Sequence, residues 1–240
     1  MTTFANSLLR IEQLEISCQH DGKWRPIVQD VSFQVCPGEI VALTGPSGCG
    51  KSLTAHAIVG LLEAGSRVTN GQVFYQDRDI LTYNIHDWQQ LRREEIALLI
   101  QHSLNGLNPI RTIRKQMVET VLQRKQSTSK KELDMYLCSL LQQVGFTDPE
   151  SVLASYSFQL SGGMRQRVLL AMMVSLQPKI LIADEPTTAL DVINRERVLS
   201  LLKKLQHDFG LAVLLISHDQ QSVKRLADRV IQMDRGAIIR

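Results

Sequence analysis

Cysteine is scarce in this sequence, and its few cysteines lie far apart. The 240 residues contain four of them, Cys18, Cys36, Cys49 and Cys138, and no two form a Cys-x-x-Cys pair. The six histidines likewise lack the spacing of metal ligands. Isolated cysteines of this kind are typical of reduced thiols in a cytosolic protein. The pattern therefore excludes a disulfide framework and a zinc-finger-like site.

Long apolar segments and a strong excess of one charge are also missing. The longest apolar run covers residues 168–176, which is about half the length that spans a bilayer. Residues 1–10 lack the basic and then apolar pattern of a signal peptide. The net charge is only +3, and basic residues are interleaved with acids, which argues against a nucleic-acid partner. We expect a soluble protein whose role at a membrane, if it has one, comes through partners.

What is present is the composition of an ordinary globular protein. Hydrophobic residues make up 44% of the chain and charged residues 21%. A length of 240 residues suits one α/β domain, or one domain with a sizeable insertion. No internal repeat or low-complexity tract is present.

The most informative segment is a glycine-rich loop that fits the phosphate-binding pattern G-x-x-x-x-G-K-[S/T] at every position. An apolar run at residues 40–43 precedes it, and a helix-like stretch from Ser52 to about Leu62 follows. Glycines let consecutive N–H groups surround phosphate oxygens, and the helix start adds a positive dipole. Lys51 brings a cation to the β- and γ-phosphates, and the Ser52 hydroxyl can ligate Mg²⁺. We predict that a nucleoside triphosphate binds to Gly45, Pro46, Ser47, Gly48, Cys49, Gly50, Lys51 and Ser52.

Segments near the N-terminus have the alternating pattern of half-buried antiparallel strands. Apolar and polar residues alternate over residues 9–18 and again over residues 28–35. Further on, Asn70-Gly71 predicts a hairpin turn ahead of a short strand. Trp24 has two interpretations that the sequence leaves open, a stacking surface for an adenine ring or an aromatic residue at a strand edge.

Continuous apolar runs at residues 96–100, 180–183 and 211–216 predict parallel strands that are buried on both faces. Ligands of open α/β sheets bind at the carboxyl ends of such strands. The polar residues that follow the three runs are Gln101, the pair Asp184 and Glu185, and His218.

These polar residues suggest a division of roles. Asp184 is placed to hold Mg²⁺ through water, and Glu185 could polarise the attacking water. His218 could be a helix cap or a sensor of the γ-phosphate. Gln101 by itself is an ordinary polar residue at a strand end.

A second anion-binding helix end is predicted after a helical insertion. The pattern is helical from residue 110 to about residue 144. Ser161 then provides an N-cap, and Gly162 and Gly163 expose the first N–H groups of a helix. A capped surface helix is the simpler interpretation of this segment taken alone.

Together these motifs occur in the order and spacing of ABC transporter ATPase subunits, a family that the sequence resembles over nearly its whole length. The resemblance implies an α/β fold: a P-loop NTPase (RecA-like) core, an N-terminal antiparallel β subdomain and an inserted α-helical subdomain. Residues 1–240 would form a single ABC ATPase domain. The core and β subdomain would occupy 1–100 and 178–240, and the helical subdomain with its signature helix 101–177. The implied cofactors are ATP and Mg²⁺.

The resemblance also assigns roles to individual residues. Glu185 resembles the catalytic base, His218 the switch histidine and Lys51 the P-loop lysine. Gln101 resembles the glutamine that links nucleotide to the transmembrane partner, and Asp191 the aspartate at the dimer contact. The implied metal ligands are Ser52, Gln101 and Asp184. In that family the Ser161-Gly162-Gly163 helix of one subunit closes on ATP held by the other subunit, which would explain the second anion site.

Finer features resemble the dipeptide, oligopeptide and nickel uptake ATPases. They lie at residues 107–109, 161–167 and 183–192. Two departures are His102-Ser103, where the branch usually has Asp-Pro, and an end at Arg240 without the C-terminal extension common in that branch. We interpret the chain as the ATP-hydrolysing motor of an importer for a nickel or related metal complex, or for short peptides, with the metal complex preferred.

The implied partners are a second, non-identical ATPase subunit, two transmembrane permease subunits and an extracytoplasmic substrate-binding protein. The chain would then lie peripherally on the cytoplasmic face of the inner membrane. One alternative is a soluble ABC ATPase acting on ribosomes or DNA, but those chains usually carry two ATPase units or a long coiled-coil insertion. A second alternative is a regulatory module without turnover, which would be expected to lack Glu185 or His218.

Overall fold

The computed structural model describes residues 7–100, 106–124, 129–188, 190–219 and 223–239. Its strands in chain order are β1 Leu9–His20, β2 Lys23–Val35, β3 Ile40–Thr44, β4 Ser66–Tyr75, β5 Arg78–Asp79, β6 Ile96–Leu99, β7 Ile180–Asp184, β8 Ala212–Ser217, β9 Arg229–Asp234 and β10 Ala237–Ile239. Its α-helices are α1 Lys51–Ile58, α2 Ile85–Glu94, α3 Ile113–Leu122, α4 Lys130–Gln143, α5 Pro149–Ala154, α6 Gly162–Ser175 and α7 Val192–Phe209. The α/β class predicted from the sequence is confirmed.

The strands form two sheets of different construction. One is antiparallel, with the order β2-β1-β4-β5. The other has the order β10-β9-β3-β8-β7-β6, and all neighbours are parallel except β10 against β9. Every residue of β3, β7 and β8 is buried. Their continuous apolar sequences follow from this position, because both faces of the parallel sheet are covered.

Alternate residues of the central strands enter two separate apolar clusters. In β3, Ile40 and Ala42 pack with residues of helices α3–α7, whereas Val41 and Leu43 pack with β1, β2, β4 and α1. This division follows from the two-residue repeat of a strand, which sends successive side chains to opposite faces. Helices α3–α7 lie on one face of the parallel sheet, and the antiparallel sheet, α1 and α2 lie on the other. The subdomain boundaries at residues 100 and 178 stay a prediction.

The hairpin predicted at Asn70-Gly71 is wrong, because β4 runs through both residues. At this point β1 contains an irregularity, where Gln13 has a φ of 48° and the pairing register with β4 shifts. A Cβ atom on Gly71 would lie 2.4 Å from the Gln13 carbonyl oxygen. The glycine thus serves the close approach of two strands at a bulge and does not reverse the chain.

One further difference concerns a helix. Helix α1 ends at Ile58, earlier than the sequence pattern predicts, and is followed by Gly60 at a φ of 64°, a conformation typical of residues that end helices. Among the described residues, no helix has both the length and the apolar character needed to cross a membrane.

Candidate functional site

The P-loop, residues 45–52, connects the end of β3 to the start of α1. Its Gly45, Gly48 and Gly50 have φ angles of 153°, 80° and 102°. A Cβ atom on Gly45 would lie 2.1 Å from the Met233 carbonyl oxygen, and one on Gly50 would lie 2.8 Å from a methyl group of Val28. Glycine is required here both by the backbone conformation and by the strands that press on the loop.

Lys51, the first residue of α1, is held within the P-loop. Its Nζ donates to the carbonyl oxygens of Gly45 at 2.9 Å and Pro46 at 2.8 Å, and the residue is only 5% exposed. The Cys49 thiol is also buried and lies 3.8 Å from the same nitrogen. The loop therefore already surrounds a cation that can bind phosphate oxygens.

Ser52 and Asp184 meet although they are 132 residues apart in the chain. The Ser52 hydroxyl donates to Asp184 Oδ1 at 3.0 Å. Asp184, the last residue of β7, is almost completely buried. Burial raises the pKa of its carboxyl group, whereas the Ser52 hydrogen bond and the nearby His56 and Lys51 act to lower it. A carboxylate and a hydroxyl thus lie together beside the P-loop.

The next residue, Glu185, is held by contacts on both carboxylate oxygens. His218 Nδ1 lies 2.8 Å from Oε1 and 2.6 Å from Oε2, and the Thr188 hydroxyl donates to Oε2 at 2.6 Å. The Glu185 backbone has a φ of 51°, a conformation that residues other than glycine adopt rarely. Its side chain is 10% exposed, while that of His218 is 57% exposed. The pair therefore lies at the surface with the carboxylate inside and the imidazole outside.

The parallel register brings these groups to one edge of the sheet. Thr44, which precedes the P-loop, pairs with Ser217, which precedes His218. Asp184 pairs with Ile216 on the other side of β8. The carboxyl ends of β3, β7 and β8 thus deliver the lysine, the two acids and the histidine to a single site, as the sequence pattern predicts for an open α/β sheet.

The start of α6 has a different set of contacts. The Ser161 hydroxyl accepts a hydrogen bond from Met164 N at 3.3 Å and caps its own helix. A Cβ atom on Gly163 would lie 2.7 Å from Asn194 Oδ1, so the Asn194 side chain packs directly on the Gly163 backbone. Contact with α7 therefore favours glycine at position 163, and its role in exposing N–H groups stays a prediction.

Asp191 holds Asn194 in this position. It caps α7 by accepting from Asn194 N at 3.0 Å and from Asn194 Nδ2 at 2.6 Å. These hydrogen bonds lower the pKa of the Asp191 carboxyl group, with the backbone bond as the largest cause. Among the described residues, no hydrogen bond joins residues 161–163 to the P-loop. The two regions predicted to bind anions are thus built separately.

Comparison with known proteins identifies the family. The family model described as ABC transporter matches residues 28–188. The oligopeptide transport ATP-binding protein AppD of Bacillus subtilis is 40% identical over 235 residues, which cover 98% of this chain and 71% of AppD. The chain belongs to the ABC transporter family. It is an ATP-binding ABC ATPase, and ATP hydrolysis is its enzymatic activity.

Other relatives agree with this assignment. The dipeptide transport ATP-binding protein DppD of Bacillus subtilis is 39% identical over 95% of this chain and 68% of DppD. The peptidoglycan transport ATP-binding protein YejF of Agrobacterium fabrum is 39% identical over 99% of this chain, which spans 43% of YejF. A dimeric structure of the ATP-binding cassette MJ0796, described as a post-hydrolysis state with ADP and Pi, superposes with a TM-score of 0.83. It is 26% identical and 97% of each chain is covered.

The roles of two residues predicted for the ABC ATPase site, Gln101 and Trp24, stay predictions. Gln101 lies outside the described residues. Trp24 is 41% exposed in β2, and the Arg67 guanidinium lies 4.0 Å from its ring centroid, so one face of the ring is occupied. An adenine ring could therefore stack only on the other face of Trp24.

Two residues that contact predicted site residues were not predicted from the sequence. Thr188 contacts Glu185, and Asn194 contacts Gly163 and Asp191. Thr188 follows the acid by three residues across Pro186, a spacing typical of a turn that brings the two side chains together. Asn194 carried no comparable signal, because its contact with Gly163 joins distant parts of the chain.

Proposed function

We propose that this chain is the ATP-hydrolysing motor subunit of an ABC importer for short peptides. The observation that carries the proposal is the convergence of Lys51, Asp184, Glu185 and His218 at one sheet edge. The relatives named above supply the transport context, since all three are described as transport ATP-binding proteins. They favour an importer over an ATPase that acts on ribosomes or DNA.

In this proposal the P-loop holds the triphosphate and Glu185 acts on water. The Lys51 ammonium and the N–H groups at the start of α1 bind the β- and γ-phosphates. Glu185 accepts a proton from the attacking water, and a base of this kind typically contributes about 10²–10⁴-fold to the rate. His218, which contacts both oxygens of the Glu185 carboxylate, orients the base and lies on the exposed side where a γ-phosphate would be sensed.

The residues beside the P-loop fit Mg²⁺. This ion prefers oxygen ligands and usually takes one or two protein groups together with phosphates and water. Ser52 Oγ and Asp184 Oδ1 lie 3.0 Å apart and supply such oxygens. Among the described residues there is no cluster of three or more His, Cys, Asp or Glu that could hold a metal by itself. Bound there, Mg²⁺ would neutralise charge on the phosphates, with Ser52 and Asp184 as its protein-side partners and Gln101 as a third candidate.

A second ATPase subunit would complete the site. Ser161 and Asp191 are exposed, and both lie at helix starts that no described hydrogen bond connects to this chain's own P-loop. In a head-to-tail pair, the Ser161-Gly162-Gly163 end of one subunit would face the P-loop of the other. The dimeric description of the similar MJ0796 cassette supports this arrangement. A non-identical second subunit is equally compatible with it.

The proposed substrate class is inferred from the descriptions of the relatives. AppD and DppD are described as oligopeptide and dipeptide transport proteins, and YejF as a peptidoglycan transport protein. Short peptides are therefore the proposed substrate. The nickel or metal complex preferred from the sequence stays a prediction without support from these three names.

An exposed apolar patch supports docking to permeases. The patch consists of Ile110, Tyr156 and Phe158, of which Ile110 is 83% and Phe158 is 70% exposed. A bridge between Thr112 and Tyr156 brings its two segments together, and the Tyr156 and Phe158 rings stack 5.6 Å apart. Exposed apolar patches of this kind mark interaction sites. We propose that two transmembrane permease subunits and an extracytoplasmic binding protein complete the importer at the cytoplasmic face of the inner membrane.

Peptide uptake in cells tests the proposal. A strain that lacks this chain should lose uptake of labelled tripeptides, and the gene should restore it. Phe158→Ser should restore little uptake and should remain in the cytosolic fraction, while its purified ATPase activity is unchanged. Ile85→Ser is the matched control, because it removes an exposed apolar residue of α2 from another surface. Normal peptide uptake in the deletion strain, with loss of labelled nickel uptake instead, would contradict the peptide assignment.

A further inference from the structure

The turn after β7 brings the Thr188 hydroxyl group close to the Glu185 side chain. Thr188 N donates to the Glu185 carbonyl oxygen at 3.2 Å, which closes a four-residue turn with Pro186 at its second position. Proline is favoured there because its ring fixes φ. The turn places the Thr188 hydroxyl 2.6 Å from Glu185 Oε2. The contact is therefore built by local backbone structure and does not depend on a long flexible side chain.

The Glu185 carboxylate is nearly saturated by its neighbours. An ionised carboxylate only accepts hydrogen bonds, through about four lone-pair positions. His218 Nδ1 must then carry the proton that it shares between Oε1 and Oε2. With the Thr188 bond, both positions on Oε2 are occupied, whereas one position on Oε1 has no hydrogen-bond partner among the described residues. The two oxygens are chemically alike but differ in what they can still accept.

We propose that Thr188 is a positioning residue for ATP hydrolysis, whose hydroxyl fixes the Glu185 carboxylate so that Oε1 takes the proton of the attacking water. The inference rests on the proposed role of Glu185 as the base. In this step a water O–H bond breaks and its proton moves to Oε1. The water oxygen bonds to the γ-phosphorus, and the bond from that phosphorus to the bridging oxygen breaks, with its electron pair leaving on ADP.

The hydroxyl has a distinct role from His218 because it approaches only Oε2. Without it, the open position could move to Oε2 and the carboxylate could rotate about its terminal bond, where rotation meets little resistance. Nucleotide binding would be unaffected, since Thr188 contacts neither the P-loop nor Ser52 in any described hydrogen bond. The expected signature is a loss in kcat at constant KM.

The test compares Thr188→Val, which keeps the shape and removes the hydroxyl, with Thr188→Ser, which keeps the hydroxyl. Both are assayed as the full chain in its assembled complex, with thermal unfolding measured in parallel. Thr188→Val should lower kcat about tenfold with KM for ATP within about twofold, as expected for loss of a hydrogen bond to a charged group. Thr188→Ser should stay close to the parent. Should the valine variant not fold, Thr188→Ala provides the same comparison.

Measuring the same substitution in the Glu185→Gln variant separates a positioning role of Thr188 from a structural one. In Glu185→Gln, adding Thr188→Val should leave the residual kcat unchanged, because the hydroxyl acts through the carboxylate. An equal slowing in both backgrounds overturns the proposal, and so does a normal kcat for Thr188→Val in the presence of Glu185. If Glu185→Gln alone retains parental kcat, the base assignment fails and this inference with it. That result is recognised from the Glu185→Gln variant alone.

Discussion

The sheet edge and the start of α6 both carry groups suited to phosphate, but their internal contacts differ. At the sheet edge, side chains from separate segments contact one another, as Ser52 does with Asp184 and Glu185 with His218. At α6, the Ser161 hydroxyl contacts only its own helix among the hydrogen bonds of the described residues, and Asn194 packs on Gly163 from behind.

This difference supports the proposed division of roles between the two regions. The sheet edge brings together the cation, the acids and the histidine that one chain can supply. The contacts at α6 fix the position of a helix end without using its outward-facing groups. A helix start held in place by Asp191 and Asn194 and turned outward is suited to a ligand that another subunit presents.

Breaking the sheet edge should have the largest effect. Lys51→Ala removes the cation held within the P-loop, so hydrolysis should be abolished. ATP binding should weaken about 10–100-fold, the loss expected when one charge-assisted contact is removed. ATP titration and steady-state hydrolysis provide the measurements. Lys130→Ala, at the exposed start of α4, is the control and should behave as the parent. Near-normal turnover of Lys51→Ala would contradict the P-loop assignment.

Disturbing the contact behind α6 should have an intermediate effect that a second substitution relieves. Gly163→Ala places a methyl group against Asn194 Oδ1, so we expect about tenfold slower hydrolysis, within the range of small overpacking costs. Asn194→Ala removes the obstructing side chain. The double variant should therefore hydrolyse ATP faster than Gly163→Ala alone. A double variant as slow as the single one would mean that the glycine serves only the ligand.

The smallest expected effect is a gain in stability, in contrast to the losses of activity above. Burial raises the pKa of Asp184 in the folded state, so the folded protein binds its proton more tightly than the unfolded chain does. The stability from that proton is present below the unfolded pKa and is lost as pH rises through the folded pKa. Asp184→Asn removes the charge that is unfavourable at neutral pH.

At pH 7 this variant should unfold a few degrees above the parent while losing Mg²⁺-dependent hydrolysis, a trade between stability and activity that is common at functional sites. The difference in unfolding temperature should shrink as the pH is lowered. Differential scanning calorimetry over a pH series measures both. A lower unfolding temperature at pH 7 would indicate that the Ser52 and Lys51 contacts outweigh burial.

The functional groups at the sheet edge could be predicted from the sequence because each of them follows a recognisable apolar run. β3, β7 and β8 are buried throughout, and parallel pairing then places Asp184, Glu185 and His218 beside the P-loop. The sequence was misleading at Gly71, because a turn-like dipeptide also suits a bulge where another strand approaches closely. Local composition does not distinguish the two cases.

The contacts of Thr188 and Asn194 could not be predicted from the sequence for a related reason. Each depends on the direction in which a side chain leaves the backbone once the turn or helix has formed. Asn194 and Gly163 belong to different helices, and only the packing of α6 on α7 brings them together. Motif spacing thus predicts which groups share an edge, whereas supporting contacts require the fold.

The central claim, that a complete site joins two chains, is tested most directly by mixing two inactive variants. Lys51→Ala keeps the α6 helix end, and Ser161→Arg keeps the P-loop but blocks that helix end. If this chain pairs with itself, an equal mixture should recover roughly a quarter of parental activity, because half of the pairs contain one intact site out of two. If the partner is a different ATPase chain, the second substitution is placed at its equivalent serine. Recovered hydrolysis is the predicted result, and demonstrable association without any recovery would contradict a site shared between chains.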